Sequence, residues 1–371
     1  MGFRHIVVSL TTEGELGATL RSMGVEVVAL RMSRNCPSPR AIVRLTRIVQ
    51  REQPVVVRTS LYHANLIGLI AVRMANAHAV AWNLRCSNMD LSQYRWTTRA
   101  VVKLLIWRSS RPDLVITNSE AGRRWHSTLG YRPKRWKTIP NGIDTAKFRP
   151  DPDARARWRR RLGVNEDEIL IGMVARRDPT KNHEGMLRAA TELVRRRSRL
   201  VFIFAGRDVS RADPTLARLA DQVRAPVHLI DECDDVPGLN SALDVAVLAS
   251  TSEGFPNVVA EAMAVGVPCV VTDAGDSAAI VDGSGLIVPI PERWRKQYRR
   301  WRKTVHYGRE WAKRHAIGSN SITASPARLP GTKLHGLRLP AWLPRTCGPH
   351  QRRWSMSARA RHRKTNTNSA R

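Results

Sequence analysis

Between residues 168 and 288 the hydrophobic positions come in short unbroken runs separated by stretches of helical period. The runs at 169–175, 200–205, 227–230, 245–248, 269–272 and 286–288 predict strands. Helices are predicted from about residue 183, over 215–223, near 236–242 and over 256–265. A strand that is apolar at successive positions is covered on both faces, and runs of this kind alternating with helices predict a parallel sheet between two helical layers. Residues 1–150 repeat the pattern more weakly, with strands predicted at 5–10, 25–30, 55–57, 79–82 and 114–117.

The expected architecture is therefore α/β, with two Rossmann-like doubly wound domains. They span about 1–150 and 160–290, with a boundary near Arg149-Pro-Asp-Pro-Asp153. Ligands of such sheets bind beyond the C-terminal ends of the strands, which places the expected site in a cleft between the two domains. A chain of 371 residues exceeds what one core usually serves, in agreement with two domains. In Asp151-Pro-Asp153 the carboxylates precede an Arg-rich helix, so helix capping is the expected role rather than metal binding.

Composition narrows the class. Cys36, Cys86, Cys233, Cys269 and Cys347 are odd in number and never form CxxC, which predicts reduced thiols in a cytoplasmic setting and neither a disulfide frame nor a zinc site. Arg73 interrupts the best apolar stretch, 66–80, so no spanning helix is expected. The net charge of +31 is unevenly placed: residues 291–371 hold 21 Lys and Arg against only Glu292 and Glu310. That composition, with five of the eleven tryptophans, predicts a basic tail of low order. Trp294, Tyr298, Trp301 and Val305 fall there at helical spacing. If the tail is genuine, it could serve as a nucleic-acid or anionic-lipid arm. Arg95, Arg99 and Lys103 share one face of another predicted helix, which is either solvated or rests on an anionic membrane.

The candidate chemistry centres on Glu253-Gly-Phe-Pro-Asn-Val-Val-Ala-Glu261. Gly254 allows close backbone approach, Pro256 suits a first helical position, and Gly266 with Pro268 ends the helix. The loop of Gly254, Phe255, Pro256 and Asn257 would present free N–H groups to a phosphate or sugar hydroxyl. Glu261, over a turn inside, could hold a vicinal diol with its two oxygens. Arg176 and Lys181 follow the strand 169–175 and would face the same cleft, where a planar fork and a mobile point charge could clamp a diphosphate. Either cation alone reads as part of a solvated turn; beside the paired carboxylates the clamp is the stronger reading.

In order and spacing, Val115-Ile-Thr-Asn-Ser119, Ile139-Pro-Asn-Gly-Ile-Asp144, Val174-Ala-Arg-Arg-Asp-Pro-Thr-Lys181, Asp235-Val-Pro237 and the 253–263 segment resemble the retaining GT-B glycosyltransferases of family 4. The resemblance implies a nucleoside-diphosphate sugar as donor, a carbohydrate or lipid-linked acceptor, and neither metal nor cofactor. Arg176 and Lys181 would grip the diphosphate, Glu261 the ribose, and Glu253 with the following amides the transferred sugar. Tyr62-His-Ala-Asn65 and Asn83-Leu-Arg-Cys-Ser-Asn88 resemble the N-terminal cleft loops, which makes His63 and Arg85 acceptor or cleft candidates, with Asn141 of the 139–144 motif beside them. The enzyme is expected in the cytoplasm, at most touching an anionic membrane peripherally, with no specific nucleic acid as partner.

Three departures from the pattern stand out. Many members carry histidine where Cys86 stands, and His63 is the candidate substitute. The first strand here resembles the family's second, so a central strand of the N-terminal sheet is expected to be missing. The motif match stops near Pro289, and sequence after about residue 290 is expected to be out of frame. A degenerate relative that keeps donor binding, or a basic nucleic-acid or lipid binder, are the alternatives.

Overall fold

The structure is a computed structural model that describes residues 3–33, 38–77, 79–87, 91, 94–195 and 198–288. It divides into Met1–Ala327 and Arg328–Arg371, and every described residue lies in the first unit. The expected basic tail and its Trp294-to-Val305 stripe fall outside the described residues.

The N-terminal half runs β1 (Ile6–Ser9), α1 (Leu16–Ser22), β2 (Glu26–Ala29), α2 (Pro39–Glu52), β3 (Val57–Ser60), α3 (Tyr62–Met74), β4 (Val80–Leu84), α4 (Trp96–Arg108), β5 (Leu114–Thr117), α5 (Glu120–Thr128) and β6 (Trp136–Thr138). All pairings are parallel, in two ladders of order β1-β2 and β3-β4-β5-β6. Among the described residues no ladder joins β1 to β3. Packing bridges them instead: Leu45 and Val49 of α2 cluster with Ile67 and Ala71 of α3, and Val8 and Val57 pack against that cluster.

Two strands differ from the sequence pattern. The apolar run 55–57 is mostly the approach to β3, since Val55 and Val56 are exposed and only Val57 enters the ladder, opposite Val80. The strand continues through Arg58, Thr59 and Ser60, where buried Thr59 donates its hydroxyl to Asn65 Oδ1 at 2.7 Å. β6, Trp-Lys-Thr, carries too little apolar pattern to be foreseen; its pairing with β5 defines it.

α6 (Pro152–Leu162) leads into the C-terminal half: β7 (Ile169–Val174), α7 (His183–Val194), β8 (Leu200–Ala205), α8 (Pro214–Asp221), β9 (Val227–Ile230), α9 (Val236–Ala242), β10 (Val245–Leu248), α10 (Asn257–Ala264), β11 (Cys269–Thr272), α11 (Ser277–Val281) and β12 (Leu286–Val288). The six strands form one parallel sheet of order β12-β11-β10-β7-β8-β9. That is the doubly wound order, whose direction of winding reverses between β7 and β10. Along β8, Phe202 and Phe204 enter one core while Val201 and Ile203 enter the other, so the whole run is apolar because both faces are covered.

Asp151 caps α6, accepting from Ala154 N at 2.8 Å, as expected from its place before an Arg-rich helix. The helix is fastened to the sheet by Asp244, just before β10. Its carboxylate receives Arg155 at 2.7 Å, Arg159 at 2.9 Å and the Leu170 amide at 2.8 Å. Arg159 is buried, so loss of the carboxylate leaves a charge without its counter-ion. Asp244→Ala is expected to destabilise the fold by about 3 kcal/mol in urea unfolding. A loss below about 1 kcal/mol would show that the network behaves as a surface pair.

Candidate active site

The reversal point of the C-terminal sheet carries the site. After β7 the chain turns through Pro179–Lys181, held by Asp178, whose Oδ1 accepts from the Thr180 amide at 2.9 Å and its hydroxyl at 2.6 Å. The loop after β10 is tied to this turn by Thr251 N donating to Thr180 O at 2.8 Å. These two ties bring Lys181 Nζ to Glu253 Oε1 at 2.5 Å, and Ser250 donates to the same oxygen at 2.6 Å. Only 17% of the lysine side chain and 9% of the glutamate are exposed.

Arg176 is placed differently. Its guanidinium donates to Asp178 at 2.9 Å and is largely exposed, so the two cations expected to clamp a diphosphate together are each held by a separate carboxylate. Arg177, between them, is committed to Asp213 at 2.7 Å and Glu184 at 3.1 Å.

Pro256 caps α10 with an extended ψ of 98° instead of standing at its first position, and the helix is shorter at both ends than the sequence predicts. Asn257, its first residue, accepts from Asn141 Nδ2 at 2.8 Å, and Arg85 donates to Asn141 Oδ1 at 3.0 Å. Two of the predicted N-terminal cleft residues therefore reach the start of α10. Glu261 lies one turn further on, half-buried, and no side chain or amide among the described residues donates to its carboxylate. Burial raises its pKa, with Lys147 opposing. A carboxylate desolvated without a partner is a candidate ligand group. Phe255 is half-buried in the same loop.

His63 sits in the first turn of α3, its Nε2 buried without a partner and its pKa lowered by burial. No hydrogen bond joins it to the other candidates among the described residues. The ring behind Cys86 is instead His126: Tyr62 OH lies 3.2 Å from Cys86 Sγ and 3.0 Å from His126 Nε2. His126 Nδ1 faces Gly122 O at 2.7 Å, so the neutral ring donates there and accepts from Tyr62. Burial holds this imidazole at about 4 and pushes the Cys86 thiol up.

Four residues escaped the sequence reading of the site. Ser87 donates to Glu253 O, and Ser252 returns a hydrogen bond to Ser87 O at 2.9 Å. Asn118 lies against Gly254, where a Cβ would stand 3.3 Å from both Asn118 Oδ1 and Arg85 O, and that Oδ1 is buried without a partner. Asp276 accepts from Glu120 N and Ala121 N, both at 2.8 Å, and so caps α5 from the opposite half. Asn118 falls inside a recognised motif. Asp276 gave no signal, because an Asp before a helix reads as that helix's own cap.

Residues 1–147 match the family described as Glycosyltransferase Family 4, and residues 154–322 match Glycosyl transferases group 1. The chain has the GT-B fold, and each of its halves resembles a glycosyltransferase family. The second match carries the likeness past Pro289, where the motifs end. Among solved structures, the chain resembles Anabaena Alr3699/HepE in complex with UDP-glucose, with a TM-score of 0.64 and 21% identity over 83% of this chain and 87% of that one. Among curated proteins it is 33% identical over 207 residues to the D-inositol 3-phosphate glycosyltransferase of Kineococcus radiotolerans, covering 49% of this chain and 47% of that protein. It is 25% identical over 247 residues to the Escherichia coli UDP-Gal:alpha-D-GlcNAc-diphosphoundecaprenol alpha-1,3-galactosyltransferase, covering 65% and 64%. The chain thus spans less than two thirds of the length of either relative.

Removing the cross-domain cap by Asp276→Ala is expected to lower the stability of the protein by about 1 kcal/mol in urea unfolding; an unchanged midpoint would show the cap to be idle. Stability should also fall between pH 6.5 and about 4, where the unfolded chain takes up a proton that folded His126 does not. Above 6.5 the imidazole is neutral in both states and this dependence vanishes. His126→Gln should flatten that part of the pH profile; an identical slope in the variant would assign it to other groups.

Proposed function

We propose that this glycosyltransferase moves a sugar from a nucleoside-diphosphate donor to a hydroxyl of a carbohydrate or lipid-linked acceptor, with retention of configuration. The observation that carries the reading is the enclosed Lys181–Glu253 pair at the strand reversal, with Glu261 one turn inside the helix that follows, its carboxylate without a hydrogen-bond donor among the described residues. A diphosphate reaching Lys181 takes the place of the Glu253 carboxylate. Glu253 is then released toward the hydroxyls of the donor sugar, and Glu261 accepts the ribose diol. Arg176 can leave the exposed Asp178 contact to reach the same phosphates.

In the transfer step the acceptor oxygen bonds to the anomeric carbon as the bond from that carbon to the diphosphate breaks, on the same face of the sugar. The acceptor proton passes to the departing diphosphate. Lys181, Arg176 and the free amides at the start of α10 stabilise its charge, so catalysis rests on positioning and electrostatics. The relatives support this reading: one solved structure is a complex with UDP-glucose, and one curated relative is named for a UDP-galactose donor and a diphosphoundecaprenol-linked acceptor. A second reading, donor binding without turnover, is favoured by the absence, among the described residues, of a ladder joining β1 to β3.

A thermal-shift screen of nucleoside diphosphates and their sugars is expected to show stabilisation by one of them, weakened about tenfold in affinity by Glu261→Ala. Because burial raises the Glu261 pKa, affinity should decline as acidification protonates it. No shift with any nucleotide would overturn donor binding. With binding established, product NMR showing an inverted anomeric centre would overturn retention, and background-level turnover would select the second reading.

A further inference from the structure

We infer that Ser250 is a positioning residue whose hydroxyl holds one oxygen of Glu253 and so decides which oxygen meets the donor sugar. The inference rests on the reading in which a diphosphate replaces Glu253 beside Lys181. It adds what the released carboxylate then does.

Ser250 stands two residues beyond β10 and is fully buried, as is Thr272 at the end of β11. The Thr272 hydroxyl donates to Ser250 O and makes a longer approach to Leu248 O at 3.3 Å. On the other side, Asn182 Nδ2 donates to Ala249 O at 3.3 Å and the Thr251 amide to Thr180 O at 2.8 Å. The main chain around Ser250 is therefore tied both to β11 and to the turn that carries Lys181. The main chain of Glu253 is held through its carbonyl, which accepts from Ser87. With both main chains held, a change at Lys181 is answered by the side chain of Glu253.

The two oxygens of that side chain are unequal. Oε1 accepts from Lys181 Nζ at 2.5 Å and from Ser250 Oγ at 2.6 Å, whereas Oε2 accepts no hydrogen bond among the described residues. Departure of Lys181 to a diphosphate removes one donor from Oε1 and leaves the other. The terminal torsion of a glutamate is broad and two-fold, so a carboxylate without a tether presents either oxygen in either direction. Ser250 prevents that exchange. A fully buried hydroxyl is costly to leave without an acceptor, and Glu253 Oε1 is the one acceptor of the Ser250 hydroxyl among the described residues. Ser250 thus keeps Oε1 and leaves Oε2 to accept from a sugar hydroxyl. An acceptor of fixed direction separates sugars that differ in the configuration of one hydroxyl. A freely turning one does not.

The test is calorimetric titration of the full chain with UDP, GDP, UDP-glucose, UDP-galactose, GDP-glucose and GDP-mannose. The wild type is expected to prefer one sugar of an epimeric pair. Ser250→Ala should reduce that preference about tenfold, while affinity for the nucleoside diphosphate alone stays unchanged. Thr272→Val, which removes the hydroxyl behind Ser250 at nearly constant volume, should shift the preference in the same direction and decides the matter if Ser250→Ala does not fold. In a Glu253→Ala background, Ser250→Ala should have no further effect on the preference, because it acts through that carboxylate. Thermal unfolding checks the fold of each variant. No epimer preference in the wild type, a preference unchanged in the variants, or an equal loss of affinity for diphosphate and sugar nucleotide would overturn the proposal and leave donor binding standing. Failure of every nucleotide to bind the wild type would instead remove the reading beneath it, and the proposal with it.

Discussion

The Lys181–Glu253 ion pair is the contact around which the cleft is organised. Two charges this enclosed lose most of their hydration, and their attraction compensates only if the geometry is held and the remaining lone pairs are used. The structure meets both conditions. Ser250 occupies the shared oxygen, and the Thr251–Thr180 hydrogen bond fixes the separation of the loops that carry the pair. Both loops leave the sheet where its winding reverses, the one place where consecutive helices depart to opposite faces and leave space above the strand ends.

The same loop sets how the two halves meet. Its backbone is hydrogen-bonded to Ser87 on one side, and Gly275 lies beneath it on the other, with φ of +61° and a hypothetical Cβ only 2.3 Å from Glu253 O. A side chain at 275 would displace the carbonyl and with it the carboxylate that faces Lys181. Asp276, the next residue, reaches across to the start of α5, so a single turn supports the ion pair and joins the halves. Any ligand that separates Lys181 from Glu253 acts on a segment through which interdomain contacts run.

Charge is divided in the same economical way. In the C-terminal half three arginines are held by internal carboxylates: Arg155 and Arg159 by Asp244, and Arg177 by Asp213 and Glu184. Arg40, Arg44 and Arg47 of α2 and Arg99 of α4 are exposed, and no carboxylate pairs with them among the described residues. A basic residue thus has two physical roles in this chain, as an internal cross-link and as part of an exposed cationic surface.

Much of the fold was legible in the sequence. The unbroken apolar runs marked β7 to β12 because strands covered on both faces leave no polar alternation to blur, and the Glu253-to-Glu261 spacing located α10 because a loop-to-helix junction is a local property. The limits of β3, and β6 altogether, were not legible, since short strands with polar residues take their limits from the neighbour they pair with. Side-chain partnership was also beyond the sequence: Lys181 faces Glu253 at a sequence separation of 72, Arg176 turns to its near neighbour Asp178, and Asp276 caps a helix 155 residues away. The sequence by itself determined which elements form and which residue types border the cleft, because those follow from periodicity and turn chemistry over a few residues. Which charges pair and which half supplies each hydrogen bond were decided by the tertiary structure, because each depends on distances between segments that no local pattern encodes.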